Sequence, residues 1–373
     1  MAQVLLLLLL ALRPAVVIET APRGLNTAGV PDAIEVLPAL FAAAESSIDV
    51  AQMYMLHYPP ASRGRLLYRL YDELVAAASR GVRVRVMVDG LTWEQNPGSG
   101  YRSMVDRLGA VPGIEARHAD LRAHSEYDGC LMHAKYCVID AGVSVLGSHN
   151  WSWGAFAENR ELSLVLRDSL FARALGALFQ QDWSAAGGNP APAAAVTTGR
   201  TRLAFAGPGG LPADGLRLDA ALKELLGRTT RSLDLAVNSF STRADLGAGP
   251  FLLVDSLLRD AADRGVAVRI LVDRWAWEHD STSLRSLDSV TGVSVRVADI
   301  RDAGEMAGVG TMHAKLLVAD AELVLLGSAT LSQRQLLECR NVAALVHDPV
   351  VAAELQALFE RDWSSGWCRP VTD

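Results

Sequence analysis

Two stretches of the sequence carry the same side chains at the same spacing, and those side chains could act on a phosphate group. Each has a His, a Lys two positions later, an Asp after four further residues, and Gly-Ser after six more. The copies start at His133 and His313, and every shared residue repeats that separation. A His close to a Lys is common by itself, but two complete copies in one chain are hard to obtain by chance.

The residues of each copy predict a β-hairpin that gathers these side chains. Two short apolar runs flank an Asp-Ala-Gly turn that starts at Asp140. Because side chains alternate along a strand, His133 and Lys135 point to one face, and Ser148 and Asn150 share a face beyond the second strand. An imidazole, an ammonium group, a hydroxyl and a carboxamide would then meet at one point, and such groups suit phosphate oxygens.

A second hairpin would bring a second imidazole to the same phosphate. Two imidazoles can divide a phosphodiester reaction, since one can attack phosphorus while the other protonates the leaving oxygen. Ligand sites favour interfaces between domains. We therefore predict that the two halves of the chain pack with pseudo-twofold symmetry and that His133 and His313 meet at their interface.

The repeat extends beyond the hairpins and covers most of the chain. The segment S-S-I-D-V-A from Ser46 is matched by R-S-L-D-L-A from Arg231, and an apolar helical pattern and a further strand follow in both halves. Each half ends in a helical pattern that closes with D-W-S. Strands that alternate with helices predict an α/β fold, here two duplicated α/β sandwich domains with mixed sheets.

Composition places the domain boundary. Residues 185–195 are mostly Gly, Ala and Pro, which is typical of a linker. We therefore predict a first domain over residues 16–192 and a second over residues 193–373, preceded by an apolar leader over residues 1–15. The leader indicates export or membrane association, although it lacks the basic start of a signal peptide, and a first buried strand is the alternative.

The duplicated pattern resembles the phospholipase D superfamily, whose members carry H-x-K-x4-D-x6-G-S-x-N twice for each active site. The first copy matches every position, and the second departs only at its last, where Thr330 replaces Asn. The opening V-I-E-T-A-P-R-G-L resembles the animal endolysosomal branch, which includes lipid-acting and single-strand exonuclease members. The resemblance implies a covalent phosphohistidine and structural roles for Asp140 and Asp320. The two Lys ammonium groups replace a metal ion, so no metal or other cofactor is expected.

In this family a later acidic residue faces the catalytic imidazole. Glu161 stands at that position in the first half, and Asn341 stands at the equivalent position in the second. A carboxylate at Nδ1 raises the basicity of an imidazole and fixes its tautomer, whereas an amide oxygen fixes only the tautomer. We therefore predict that Glu161 orients His133 as the nucleophile. By the same reasoning, Asn341 orients His313 as the general acid.

The other polar side chains of the two motifs are predicted to hold the phosphate and to stabilise charge on its oxygens. They are Lys135, Lys315, Ser148, Asn150, Ser328 and Thr330, with Asn341 in the same group. Residues 92–128 and 275–310 differ most between the halves. Because they lie beside the predicted site, we expect them to set substrate choice.

Composition narrows the substrate only in part. A net charge of −7 disfavours a general duplex-binding surface but allows single strands stacked on Trp93 or Trp277. Hydrolysis or transfer of a phospholipid headgroup, with contact to a membrane surface, is the first prediction. Cleavage of single-stranded nucleic acid is the second, and a non-catalytic binding protein is the third, which the intact His, Lys and Ser sets argue against. A monomer is expected.

The four cysteines show no metal-binding spacing. Cys137 corresponds to Leu317 in the other half, which indicates a buried apolar position. Cys130 or Cys368 would be candidates for a disulfide in an exported protein, and the sequence leaves their pairing, and that of Cys339, open.

Overall fold

The computed structural model describes residues 13–22, 24–57, 65–90, 102–121, 130–189, 199, 201–209, 215–244, 249–303 and 310–371. The aliphatic residues 4–12, Trp93 and the boundary predicted near residue 192 lie outside these ranges. All four cysteines lie within them, and no disulfide joins those four. No helix in the described ranges is long and apolar enough to cross a membrane.

The first half is built on a mixed sheet of seven strands in the order β1-β9-β8-β7-β2-β4-β6. Strands β2, β4 and β6 are parallel, and the other neighbours pair antiparallel. Strands β3 and β5 form a separate small antiparallel sheet. The strands are β1 Ala15–Thr20, β2 Ser47–Gln52, β3 Leu56–His57, β4 Arg83–Asp89, β5 Arg102–Ser103, β6 Ile114–Ala119, β7 Tyr136–Ile139, β8 Val143–Gly147 and β9 Glu161–Leu166.

The second half repeats this order as β10-β17-β16-β15-β12-β13-β14, and it adds β11 and β18 at the two edges. The strands are β10 Thr201–Ala206, β11 Leu216–Arg217, β12 Ser232–Val237, β13 Ala267–Asp273, β14 Val293–Ala298, β15 Lys315–Ala319, β16 Leu323–Gly327, β17 Asn341–His347 and β18 Cys368–Pro370. Each predicted motif hairpin is therefore present, as β7 with β8 and as β15 with β16.

Helices cover the sheets because each long helix has an apolar stripe. In the helix Arg65–Ser79 the buried residues include Leu67, Leu70 and Leu74, which belong to the apolar helical pattern that the sequence shows after the first repeated strand. The helices are α1 Ala33–Ala42, α2 Arg65–Ser79, α3 Val105–Gly109, α4 Trp153–Ala157, α5 Ser169–Ala186, α6 Leu218–Arg228, α7 Leu253–Asp263, α8 Arg274–Asp288, α9 Gln333–Leu337 and α10 Pro349–Trp363, with a 3₁₀ turn at Ile300–Asp302.

The inner faces of both sheets, with α5 and α10, form one continuous hydrophobic core. That core joins Leu164 of the first sheet to Leu326 of the second, together with Phe179 from α5 and Phe359 from α10. Two further cores lie on the outer faces, one for each half. The architecture is thus α/β with two mixed sheets in duplicated halves, which confirms the predicted fold class.

Two buried Arg side chains tie the halves together. Arg160 of the first half donates from Nε to Asp362 of α10 at 2.6 Å and also pairs with Glu19. Arg340 of the second half makes a two-point contact with Asp182 of α5, at 2.8 and 2.9 Å. Since both Arg residues are only 1% exposed, each guanidinium depends on its carboxylates for compensation.

Candidate active site

The main chain of the opposite half holds each motif His in place. Just before β7, the N–H of His133 donates to the carbonyl of Arg340 at 2.9 Å. Just before β15, the N–H of His313 donates to the carbonyl of Arg160 at 2.9 Å. Short parallel bridges at both places complete the crossing. The two motifs therefore meet at the interface between the halves.

The partners of the two imidazoles are also exchanged between the halves. His133 Nδ1 lies 2.9 Å from Oδ1 of Asn341, and His313 Nδ1 lies 2.8 Å from Oε2 of Glu161. The predicted pairing of Glu161 with His133 and of Asn341 with His313 is therefore wrong. Each imidazole is oriented by a residue from the other half.

The reason for the exchange lies where strands β9 and β17 begin. Glu161 is the first residue of β9 and Asn341 is the first residue of β17. The residue before each of them pairs with the main chain of the opposite half. The next side chain therefore starts at the interface and reaches the opposite imidazole. A repeat separation identifies equivalent residues, but it does not tell which half a side chain faces.

The two motif lysines are buried beside the imidazoles. Lys135 donates to the carbonyl of His133, and Lys315 donates to the carbonyl of His313 at 2.5 Å. Burial lowers the pKa of Lys315 to about 7, and burial together with the Lys315 charge lowers the pKa of Lys135 well below its usual value. Because an anion between two ammonium groups would raise both pKa values again, this arrangement suits a phosphate.

The two imidazoles differ in how well they hold a proton. Burial lowers the pKa of His133 far below its usual value, and the Lys135 charge lowers it further. Burial also lowers the pKa of His313, but the Glu161 anion counteracts that effect. Burial would raise the pKa of Glu161, yet the charge and hydrogen bond of His313 outweigh it and hold that pKa at about 2. Glu161 is therefore an anion at neutral pH.

The Ser residues of the two motifs do not face a phosphate site. The Ser148 hydroxyl is buried and exchanges hydrogen bonds with the main chain of Leu162, and the Ser328 hydroxyl does the same with Val342. Ser328 also donates to Oδ1 of Asn341 at 2.9 Å. The predicted phosphate contact for these two Ser residues is thus replaced by a contact that fixes the start of β9 or β17.

The polar atoms of the Asn341 side chain are likewise engaged within the protein. They serve its predicted orienting role and not its predicted phosphate contact. Its Oδ1 faces His133, and its Nδ2 donates to the main-chain oxygen and to Oε1 of Gln335 at 2.8 and 2.9 Å. Asn150 differs, because its Oδ1 is buried with no hydrogen-bond partner among the described residues. Thr330 is half-buried and lines an open cleft. Asn150 and Thr330 therefore remain predicted contacts for the substrate.

The motif aspartates lie at the hairpin turns and accept hydrogen bonds from main-chain N–H groups. Asp140 accepts hydrogen bonds from three successive main-chain N–H groups, those of residues 45–47. Asp320 accepts from the N–H groups of residues 230–232 in the same way. Both aspartates and the alanines that follow them have positive φ angles between 49° and 56°. These hydrogen bonds offset the cost of a left-handed backbone at non-glycine residues.

Sequence reasoning missed several residues that build the site. Arg160 and Arg340 hold the starts of the strands that supply the orienting residues. They are as far apart in the sequence as His133 and His313, and this equal separation could have identified them. For Gly147, which is part of the motif, the structure adds the reason: a Cβ there would collide with the main-chain oxygen of Leu162. Trp277, predicted as a stacking surface, is partly buried, and Arg285 lies 4.7 Å from its ring centroid.

Comparison with known proteins shows which family this chain resembles. The family model described as "Cardiolipin synthase, PLD-like domain" matches residues 37–183 and 222–363. Phospholipase D Z of Dictyostelium discoideum is 26% identical over 389 residues, which cover 95% of this chain and 90% of that protein. The human 5'-3' exonuclease PLD3 is 24% identical over 404 residues, which cover 94% of this chain and 79% of that protein.

Among solved structures, phosphatidylserine synthase of Haemophilus influenzae Rd KW20 has the same fold. Its TM-score is 0.63 at 11% identity, and the match covers 91% of this chain and 86% of that one. The chain belongs to the phospholipase D superfamily and is a phosphodiesterase of the phospholipase D type.

Proposed function

We propose that this protein hydrolyses or transfers a phosphodiester through a covalent phosphohistidine on His133, with His313 as general acid and then general base. One observation carries the assignment: the two imidazoles meet at one interface with unlike partners, an amide for His133 and a carboxylate for His313. The reaction needs one neutral and one protonated imidazole at rest, and this difference supports that division.

In the first step the neutral His133 donates its Nδ1–H to Asn341, which leaves the lone pair of Nε2 free to attack phosphorus. The N–P bond forms as the bond from phosphorus to the leaving oxygen breaks. Protonated His313 gives its Nε2 proton to that oxygen, while its Nδ1–H continues to donate to the Glu161 carboxylate. The nucleophile is the residue that the sequence predicted, but for a different reason, because Asn341 and not Glu161 is its partner.

In the second step His313 is neutral and accepts a proton from water or an alcohol. The oxygen of that molecule attacks phosphorus, the N–P bond breaks, and His133 returns to its neutral form. Lys135 and Lys315 neutralise the negative charge that the phosphate brings to this buried site. Since one chain supplies both imidazoles, a monomer suffices for the reaction.

The substituents of the phosphodiester are tested by a panel of substrates. Phosphatidylcholine, phosphatidylglycerol, single-stranded DNA and bis-(p-nitrophenyl) phosphate would each be offered with and without EDTA. Turnover of the last compound, retained in EDTA and lost in His133→Ala, is the expected result. Loss of activity in EDTA that added metal restores would contradict the proposed chemistry.

The panel also separates the two substrate classes that the sequence predicted. For a phospholipid, a primary alcohol should divert the phosphoenzyme to a phosphatidyl-alcohol at a membrane surface. For a nucleic acid, labelled single strands should shorten, and vesicles should stay intact. One relative is named a phospholipase D and another a 5'-3' exonuclease, so the substrate panel decides between a phospholipid and a nucleic acid.

A further inference from the structure

A cleft of about 330 Å³ lies beside the second motif, and part of its lining is aromatic. Trp275 is 49% exposed, and its ring centroid lies 4.0 Å from that of His279. Nδ1 of His279 donates to the carbonyl of Trp275 at 2.8 Å, one turn earlier in α8. The helix thus fixes an exposed pair of aromatic rings, tilted by 33° to one another, and a nucleobase can stack on an exposed aromatic ring of this kind.

This cleft, which we call the Trp275 cleft, also has polar and basic residues in its lining. Arg243 and Arg334 both line it, and so does Thr330 at the end of the second motif. The acidic residue in the lining, Asp280, already accepts hydrogen bonds from main-chain N–H groups. Guanidinium groups beside an aromatic surface favour a ligand that has both a planar ring and negative charge, as a nucleotide does.

Hydrogen bonds tie the walls of the Trp275 cleft to one another. Asp280, where α8 kinks, accepts from the N–H groups of Thr242 and Ser283. The hydroxyls of Thr242 and Ser283 lie 2.6 Å apart. A parallel bridge between Phe240 and Leu331 joins the same segment to the end of the second motif. The cleft is therefore preformed, so a ligand would not have to order it on binding.

One residue links the aromatic wall to the catalytic His313. Asp273 accepts from the N–H of Trp275 through Oδ1 at 2.8 Å. Its Oδ2 accepts from the N–H of Met312, also at 2.8 Å, and Met312 directly precedes His313. A single buried carboxylate thus fixes Trp275 relative to the proposed general acid.

A second link joins the Trp275 cleft to the proposed nucleophile. Gln335 lines the cleft, and its main-chain oxygen and Oε1 both accept from the Asn341 carboxamide. Asn341 in turn faces His133. Hydrogen-bonded groups therefore connect the lining of the cleft to both motif histidines, which places the cleft next to the proposed catalytic pair.

We propose that the Trp275 cleft is a subsite for a nucleobase of a single-stranded nucleic acid whose adjacent phosphodiester reacts at His133. This inference rests on the proposed function. The repeat supports a subsite in one half alone: Leu91 corresponds to Trp275 in the aligned sequence. The substrate strand would therefore enter with one polarity. The proposal replaces Trp277, predicted from the sequence, with Trp275 as the stacking residue.

The test combines protein variants with strands that lack single bases. A short oligothymidylate would be compared with versions that carry an abasic residue at the first, second or third position from the cleaved end. At one position the abasic residue should raise KM for the native protein about 5- to 100-fold, the scale of one base–aromatic stack. Trp275→Ala should raise KM for the intact strand by a similar factor, and Trp275→Phe by less.

The two changes should not add, because both remove the same contact. Val350→Ala, at an exposed residue of α10, serves as the control and should leave KM unchanged. If Trp275→Ala cleaves the intact strand with native KM, the subsite is refuted while the proposed function stands. Altered vesicle turnover without any change on strands would show a lipid contact and overturn the inference. If no phosphodiester reacts at all, the proposed function itself fails.

Discussion

The two halves of the chain share one framework but differ where they meet the substrate. Arg160 and Arg340 make equivalent buried ion pairs, and the hairpin aspartates make equivalent turns. By contrast, the orienting residue is Glu161 in one half and Asn341 in the other. The duplicated positions build the interface, and the residues that differ can give the two imidazoles different tasks.

A second contrast concerns the surface around the site. In the second half, α8 carries Trp275 beside the motif, and Thr330 opens onto the same cleft. The aligned positions in the first half hold Leu91 and Asn150. If the halves were equivalent, a substrate could bind in two directions related by the pseudo-twofold axis. The asymmetry therefore favours a single direction of binding and a single nucleophile.

The largest expected effect comes from removing either imidazole. His133→Ala should lower kcat by about 10⁴-fold or more, because the nucleophile is lost, and His313→Ala should lower it by about 10²- to 10⁴-fold. The double variant should lose little more than His133→Ala alone, since the two residues act as one unit. Turnover of bis-(p-nitrophenyl) phosphate measures all three, and circular dichroism checks folding.

The same variants locate the covalent phosphate. A slow substrate, followed by digestion without acid and mass spectrometry, should place the phosphate on His133 and yield none in His133→Ala. If the phosphate is found on His313, the roles of the two imidazoles are reversed, and the amide partner would then mark the acid.

The next effect concerns the framework that the halves share. Arg340→Met would leave Asp182 buried without its cation, and the expected loss is about 3–5 kcal/mol in the free energy of unfolding. Arg69→Met removes an exposed pair with Glu35 and should cost about 0.2–1 kcal/mol. Urea unfolding measures both. Equal losses would mean that the buried pair contributes no more to the interface than a surface pair does.

The sequence predicted the hairpins, the duplication and the motif residues because each depends on local pattern. It failed on the partners of the imidazoles, because the crossing depends on how β9 and β17 start at the interface. It also selected Trp277 where the structure exposes Trp275. Within the segment predicted to be variable lie most of α8 and all of β14. On a helix Trp275 and His279 share a face from which Trp277 is excluded.

The last set of variants changes the residues that orient the two imidazoles, Glu161 and Asn341. The rate should rise with pH as His133 loses its proton and fall as His313 loses its own. Glu161→Gln removes the anion that helps His313 to hold its proton, so the pKa of His313 should fall and the alkaline limb should move to lower pH. Turnover at neutral pH should drop by about 10²-fold.

Asn341→Asp should act on the other limb. A new anion beside Nδ1 should raise the pKa of His133, so this imidazole stays protonated to higher pH and the acid limb moves upward. Glu45→Gln, at an exposed carboxylate, makes the same charge change as Glu161→Gln and is its control, so it should leave both limbs in place.

Combining Glu161→Gln with Asn341→Asp should exchange the two environments, because His133 would then have the carboxylate and His313 the amide. The proton at rest would move to His133, and the residual phosphoenzyme should form on His313, where the mass spectrometric trap can find it. A double variant whose phosphate remains on His133 would show that the partner at Nδ1 does not choose the nucleophile. The choice would then lie with the direction in which the substrate binds, which the Trp275 cleft would control.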